Sequence, residues 1–506
     1  MSHLSDFSGA EKNTSLKVLF AASEALPLIK TGGLADIAGS LPPALHALKH
    51  DVRLILPAYP EVVEKTIPLK EVALLHAPGR VEPIRLLSGM LPGHLPLYLV
   101  DAPGLFDRPG NPYVGPDGHD WPDNAQRFAV FCRAVAAVGL NQAGQKWQPD
   151  IIHCNDWQTG LVPPLVHDEG NRPATLFTVH NLAYQGNFDR EVFASLRLPS
   201  ELWSSNGLEF HDNLSFIKGG LAFADQITTV SPTYANEICT PQFGYGFEGL
   251  LQHNRDRLTG ILNGIDYQHW DPASDPLIHQ HYDTKTFNLK HLNKLLLQRE
   301  MGLLEDKDVF LLGYVGRLVE QKGIDLIMDI LPRLTQIKNI QLALLGSGLN
   351  HLEKALSNIG ELYPGKVAVH IGYSEQLAHR IEAGCDCFLM PSRFEPCGLN
   401  QLYSLRYGSV PIVRRTGGLA DTVIDVDTHT LLNGTATGFV FDEPTADALW
   451  DTVQRAIEFR QRPEAWWHKL ATTGMEQDFS WSTSAGHYLD LYREAILNPI
   501  PNPVKS

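Results

Sequence analysis

Short apolar runs recur along this chain. Each ends in a polar or glycine-rich bend and is followed by a stretch of helical spacing. That rhythm admits few folds, because an apolar run ahead of a helix reads as a buried strand of a parallel sheet. The clearest case lies in 385–390, which runs into the bend Glu395-Pro396-Cys397-Gly398. Beyond it Leu399, Leu402 and Leu405 fall on one helical face. Earlier runs behave alike. Residues 17–22 lead into a Gly32-Gly33 loop, 150–153 into Cys154-Asn155-Asp156-Trp157, 175–179 into His180-Asn181, and 226–230 into Ser231-Pro232. A second series follows: 310–315 ends at Gly316-Arg317, 341–345 at Gly346-Ser347-Gly348, and 367–371 at Gly372-Tyr373. Residues 410–413 complete it. The turn-rich GILNGID at 260–266 separates the two series, so the domain boundary is expected near 262. The fold class is α/β, with two open, doubly wound domains.

Parallel sheets bind ligands outside their strand C-termini, and helix N-termini there favour anions. The candidate chemistry gathers at such ends. Glu395 offers a carboxylate beside a helix start. Arg317 and Lys322, in GRLVEQKG, place two cations past a strand end, suited to a diphosphate that leaves with extra charge. Lys30, beside Gly32 and Gly33, can serve the same anion. His180, Asp156 and Asn263 are candidates for sugar or phosphate contacts, and Tyr373 for stacking. Several have a plainer alternative: Glu395 as a turn cap, Arg317 and Lys322 as a solvated pair, His180 as a hydrogen-bonded strand end, Asn263 as a turn former. TGGLAD occurs twice, at 31–36 and 416–421, each time after a basic residue. A shared local task, a glycine-rich approach to a helix N-terminus, explains the echo better than domain duplication.

Several classes are disfavoured. The balance of 41 basic against 57 acidic residues, net −16, argues against nonspecific nucleic-acid binding and an anionic membrane surface. Six cysteines form no second close pair for a metal site, so free thiols in a reducing compartment are expected. Cys385 and Cys387 are expected to share a strand face. No apolar leader or membrane span is evident, which points to the cytoplasm. The glycine loop is not GxGxxG, so NAD is not read, and no nucleophile elbow or Walker loop occurs. Residues 60–100 read as strands or hairpins, 101–124 as a long loop, and 182–217 as an aromatic-rich insertion. The prolines at 499, 501 and 503 are expected to end the order.

Taken together, KTGGLAD at 30–36, TVHNLAYQG at 178–186, NGID at 263–266, GRLVEQKG at 316–323, SRFEPCGLNQLYSLRYG at 392–408 and RRTGGLAD at 414–421 resemble the ADP-glucose-dependent bacterial glycogen synthases and plant starch synthases. The resemblance covers nearly the whole chain. It implies two Rossmann-like domains facing a cleft, the GT-B architecture, over 1–262 and 263–480, with 481–506 crossing back to the first domain. It implies glucose transfer from ADP-glucose to an α-1,4-glucan such as glycogen, with retention and without a cofactor or metal. Lys30 and Gly33 would lie near the donor phosphates, Arg317 and Lys322 would neutralise them, and Glu395 and His180 would flank the donor glucose. Asp156 would lie on the acceptor side. Asn263, Tyr373 and the turn holding Cys397, Gly398 and Leu399 would complete the donor site. UDP-glucose, another glucan acceptor, or a non-catalytic glucan-binding homologue are the alternatives. Two positions depart from related patterns. Tyr403 stands where many related transferases carry a ribose-binding Glu, a departure that synthases of this family share. Asn155 replaces a His of the common form close to HAHDW.

Overall fold

The computed structural model describes residues 14–505 except 67. They fall into two compact units. Residues 14–230, 235–264 and 481–505 form the first, and 231–234 with 265–480 the second.

The first unit is built on a nine-stranded sheet. Its strands are β1 (Lys17–Ala21), β2 (Asp51–Pro57), β3 (Lys70–Leu75), β4 (Ile84–Leu91), β5 (Leu95–Asp101), β6 (Ile151–Asn155) and β7 (Ala174–Val179). After the small antiparallel sheet of β8 (Asn187–Asp189), β9 (Glu209–Phe210) and β10 (Asn213–Ser215), it is completed by β11 (Gln226–Thr229) and β12 (Leu258–Gly260). The order is β12-β11-β7-β6-β1-β2-β5-β4-β3. All neighbours are parallel except β5-β4 and β4-β3, which pair antiparallel at one edge. Residues 60–100 are thus a short helix, Pro60–Lys65, and this antiparallel edge. The central strands are buried almost throughout, as sheets covered on both faces require. β1 pairs β2 on one side and β6 on the other, so strand order reverses between β1 and β6. That is where a parallel sheet opens a crevice for ligands.

The helix Trp481–Leu497 belongs to this unit. The buried ring of His153 on β6 bonds through Nδ1 to the Tyr492 hydroxyl (2.8 Å), and Ser484 Oγ donates to the Leu262 carbonyl (2.7 Å). The prolines do not end the order. The 498–505 tail is tied down where the Ile500 N–H donates to Asp225 Oδ1 (3.0 Å) and Asn502 Nδ2 donates to Asp168 (2.5 Å). Asp225 itself is fully buried and pairs with both terminal nitrogens of Arg172 at 2.6 and 2.7 Å. A bidentate pair of this kind compensates the cost of burying the carboxylate.

The second unit carries β13 (Phe310–Leu318), β14 (Ile340–Gly348), β15 (Val367–Ile371), β16 (Cys387–Met390), β17 (Val410–Arg414) and β18 (Phe439–Phe441). All pair in parallel, in the order β15-β14-β13-β16-β17-β18. In sequence rank this is 3-2-1-4-5-6, the doubly wound dinucleotide-binding order, whose switch point lies between β13 and β16. Alternation splits the apolar side chains between two cores. Leu312, Leu342, Cys387 and Leu389 face helices Ile324–Leu334 and Ala446–Arg460. Leu311, Ala343, Phe388 and Met390 face helices Lys290–Glu300 and Glu375–Gly384. Cys385 lies in the second of these cores, opposite Cys387. The two do not share a face, because Cys385 is the C-cap of Glu375–Gly384 and precedes the strand.

Candidate active site

Both switch points carry the charged groups. In the first unit, β1 runs into the loop holding Lys30 and Gly33, and β6 runs into Asp156. The helix Gly33–Ala47 starts at Gly33, as the glycine-rich approach predicts. Its N-terminal loop is already partly engaged. Buried Glu24 accepts from the Thr31 N–H and from the Gly32 N–H (3.2 Å) through the same oxygen. The space beside Gly33 is open, since a Cβ there would meet nothing within 4 Å. Lys30 reaches back to Asp36 at 2.8 Å and is exposed. Glu24 was not singled out from sequence. The only signal was an acid between strand and glycine loop.

Asp156 sits in a left-handed backbone conformation, φ +56°, at the turn beyond β6. Its Oδ1 accepts the His180 N–H at 2.7 Å, tying the ends of β6 and β7 together. Burial pushes its carboxyl up to about 7, against the pull of backbone bonds from His180 and Asn181. Glu24 is likewise raised to about 7, again chiefly by burial. The charge of Glu24 adds to the rise at Asp156, and that of Asp36 adds to the rise at Glu24. His180 is buried, and burial lowers its ring to about 3, so it is neutral at physiological pH. It can accept or donate a hydrogen bond but does not serve there as a cation. Asn263 is buried, and its Oδ1 has no hydrogen-bond partner among the described residues.

In the second unit, Arg317 lies at the end of β13, exposed, with Nη2 donating to Gln321 at a long 3.4 Å. Lys322 lies in the 3₁₀ turn Glu320–Lys322. Its Nζ donates to Glu395 Oε2 at 2.5 Å, and Ser392 Oγ donates to the same oxygen at 3.1 Å. Glu395 is buried, whereas Lys322 is partly open. Sequence reasoning brought both to one strand edge but missed their ion pair. Gly323 makes the approach feasible. It adopts φ +66°, and a Cβ on it would stand 2.1 Å from the Pro391 carbonyl.

The second TGGLAD copy has a different job from the first. The Gly418 N–H donates to the carbonyls of Glu395 and Pro396, both at 3.1 Å. A Cβ on Gly418 would lie 2.1 Å from the Cys397 carbonyl. These glycines buttress the 395–398 bend, while in the first copy the space beside Gly33 is open. Asp421 of this copy caps another segment, accepting from the Thr233 N–H (2.8 Å) and hydroxyl (2.7 Å). Cys397 is buried, Gly398 is left-handed (φ +73°), and Leu399 is the N-cap of helix Asn400–Tyr407. Tyr373 follows β15 and is 79% exposed, free to stack on a ring. Tyr403 is not free in that way. It stacks on Trp270 with ring centroids 3.8 Å apart, and His379 covers Trp270's ring at 3.6 Å. Among the described residues no group of three or more His, Cys, Asp or Glu could hold a metal ion.

Residues 17–253 match the family model described as starch synthase catalytic domain, and 299–469 match that of glycosyl transferases group 1. With two Rossmann-like units, these matches define a glycosyltransferase of the GT-B architecture. The chain is 56% identical over 481 residues to glycogen synthase 2 of Nitrosococcus oceani, covering 95% of this chain and 97% of that one. It is 53% identical to the glycogen synthase of Thioalkalivibrio sulfidiphilus, covering 95% and 100%. Among solved structures, the catalytic domain of starch synthase IV from Arabidopsis thaliana, bound to ADP and acarbose, aligns with TM-score 0.86 at 34% identity, over 96% of this chain and 100% of that one. The chain belongs to the glycogen and starch synthase family.

Proposed function

We propose that the protein transfers glucose from ADP-glucose to the non-reducing end of an α-1,4-glucan, with retention at the anomeric carbon. The observation that carries this reading is the Lys322–Glu395 ion pair at the switch point of a dinucleotide-type sheet. A cation for a leaving diphosphate and a carboxylate for a sugar stand there within one hydrogen bond. The relatives named glycogen synthase support a glucan as product, and the starch synthase solved with ADP supports an adenine nucleotide as donor.

In this mechanism Arg317 and Lys322 hold the donor diphosphate and neutralise the charge that builds as it leaves. Lys30 and the N-terminus of helix Gly33–Ala47 add to that field. Tyr373 stacks on the base, and the 397–399 turn and Asn263 complete the donor contacts. The acceptor hydroxyl forms the new bond on the face from which the diphosphate departs. The C1–O bond to phosphate breaks, and the hydroxyl proton passes to a phosphate oxygen. Glu395 orients the sugar and stabilises positive charge at C1. His180, neutral, hydrogen-bonds the donor glucose, and Asp156 lies toward the acceptor. The first unit supplies the acceptor side. Six free cysteines fit a reducing, cytoplasmic setting.

Stereochemistry tests the chemical step. Transfer from ¹³C1-labelled ADP-glucose to maltotriose is expected to give an α-linked product by NMR. A β-linked product would remove the same-face step.

A further inference from the structure

Asn155 stands where the common form, close to HAHDW, carries a His, and it is fully buried at the end of β6. Its amide is fixed in one orientation. Nδ2 donates to the Ala21 carbonyl at 3.0 Å and lies 3.4 Å from the His153 carbonyl. Both are pure acceptors, so turning the amide over would set oxygen against oxygen. Oδ1 therefore faces His180 Nε2, at 2.9 Å. An amide oxygen only accepts, so Nε2 must carry the proton. The neutral ring then has a bare lone pair on Nδ1, and Nδ1 is buried with no hydrogen-bond partner among the described residues. A buried acceptor without a donor costs stability unless a ligand fills it.

We propose that Asn155 is a positioning residue that locks His180 in its Nε2–H tautomer, so that Nδ1 is presented as an acceptor for a hydroxyl of the bound sugar. The lock runs from the β1 carbonyl through one amide to the imidazole, across three adjacent strands. The carbohydrate identity of the ligand rests on the function proposed above. The tautomer does not, because it is a property of the ligand-free protein. Burial supports the neutral ring. The titratable groups around it are Asp156, which accepts the His180 N–H, and His153 on β6.

The test is a long-range ¹⁵N–¹H correlation spectrum of protein labelled at histidine, recorded without ligand, with His180 assigned by loss of its signals in His180→Gln. The wild type is expected to show protonated Nε2 and unprotonated Nδ1 at neutral pH. Asn155→Leu removes the acceptor. It is expected to mix the tautomers and lower kcat by about 10–100-fold, with ADP affinity unchanged. Asn155→Asp keeps an acceptor but adds a charge that favours the imidazolium. Its acid limb of activity is expected to move to higher pH, a change that loss of packing alone would not produce. A protonated Nδ1 in the wild type overturns the proposal even if neither variant folds. So does an Asn155→Leu protein with wild-type tautomer and turnover. Wild-type tautomer as expected, but no sugar transfer by any form, would leave the lock standing and overturn its link to a sugar hydroxyl.

Discussion

Glu395→Gln is expected to lower kcat by about 10²–10⁴-fold while ADP binding stays measurable. The substitution keeps side-chain size. It also keeps an oxygen that accepts from Lys322 Nζ and Ser392 Oγ, so the 395–398 bend persists. What it removes is the negative charge, at a buried position where that charge acts in a low local dielectric. In the proposed step this charge matters most as C1 becomes positive, so the loss falls on turnover. Lys322 is released from an ion pair and stays available to phosphate, so ADP affinity is expected to hold or rise. Steady-state kinetics together with ADP titration calorimetry check both halves. Full turnover with native binding would end the central role given to Glu395.

Lys322→Met is expected to fail differently. It removes a cation from the donor phosphates and leaves Glu395 buried without its ionic partner. Losing one partner of a buried pair costs more than the pair itself was worth, because the remaining charge is uncompensated. Both donor affinity and kcat should fall, by about 10²–10³-fold in kcat/KM. Weakened ADP binding separates this variant from Glu395→Gln. If Lys322→Met bound ADP as tightly as the wild type, Lys322 would be a structural partner of Glu395 and no more than that.

The strand ends were legible because burial on both faces makes parallel strands into short apolar runs. Their polar stops marked Asp156, His180, Arg317 and Glu395 directly. Strand order was not legible. The 3-2-1-4-5-6 arrangement that puts β13 beside β16 is set by packing between distant segments. The Lys322–Glu395 pair likewise joins residues 73 apart in sequence. Glu24 escaped notice for the same reason, since its hydrogen bonds to Thr31 and Gly32 exist only once the loop folds back. The repeated TGGLAD correctly marked two helix starts, Gly33 and Gly417. It could not reveal that one loop leaves Gly33 in open space while the other is packed under a bend. The proline-rich tail looked like the end of the ordered chain on composition alone. Its anchoring depends on Asp225 and Asp168, two acids far from it in sequence.

The most direct measurement is glucose transfer from ADP-glucose and UDP-glucose, side by side, to glycogen and to a short maltooligosaccharide without added metal. Strong elongation that depends on ADP-glucose is the expected result. Preference for UDP-glucose would contradict the donor assignment while leaving fold and chemistry in place. No transfer from either donor, with ADP still bound, would contradict the enzyme itself and leave a glucan-binding protein of the same fold.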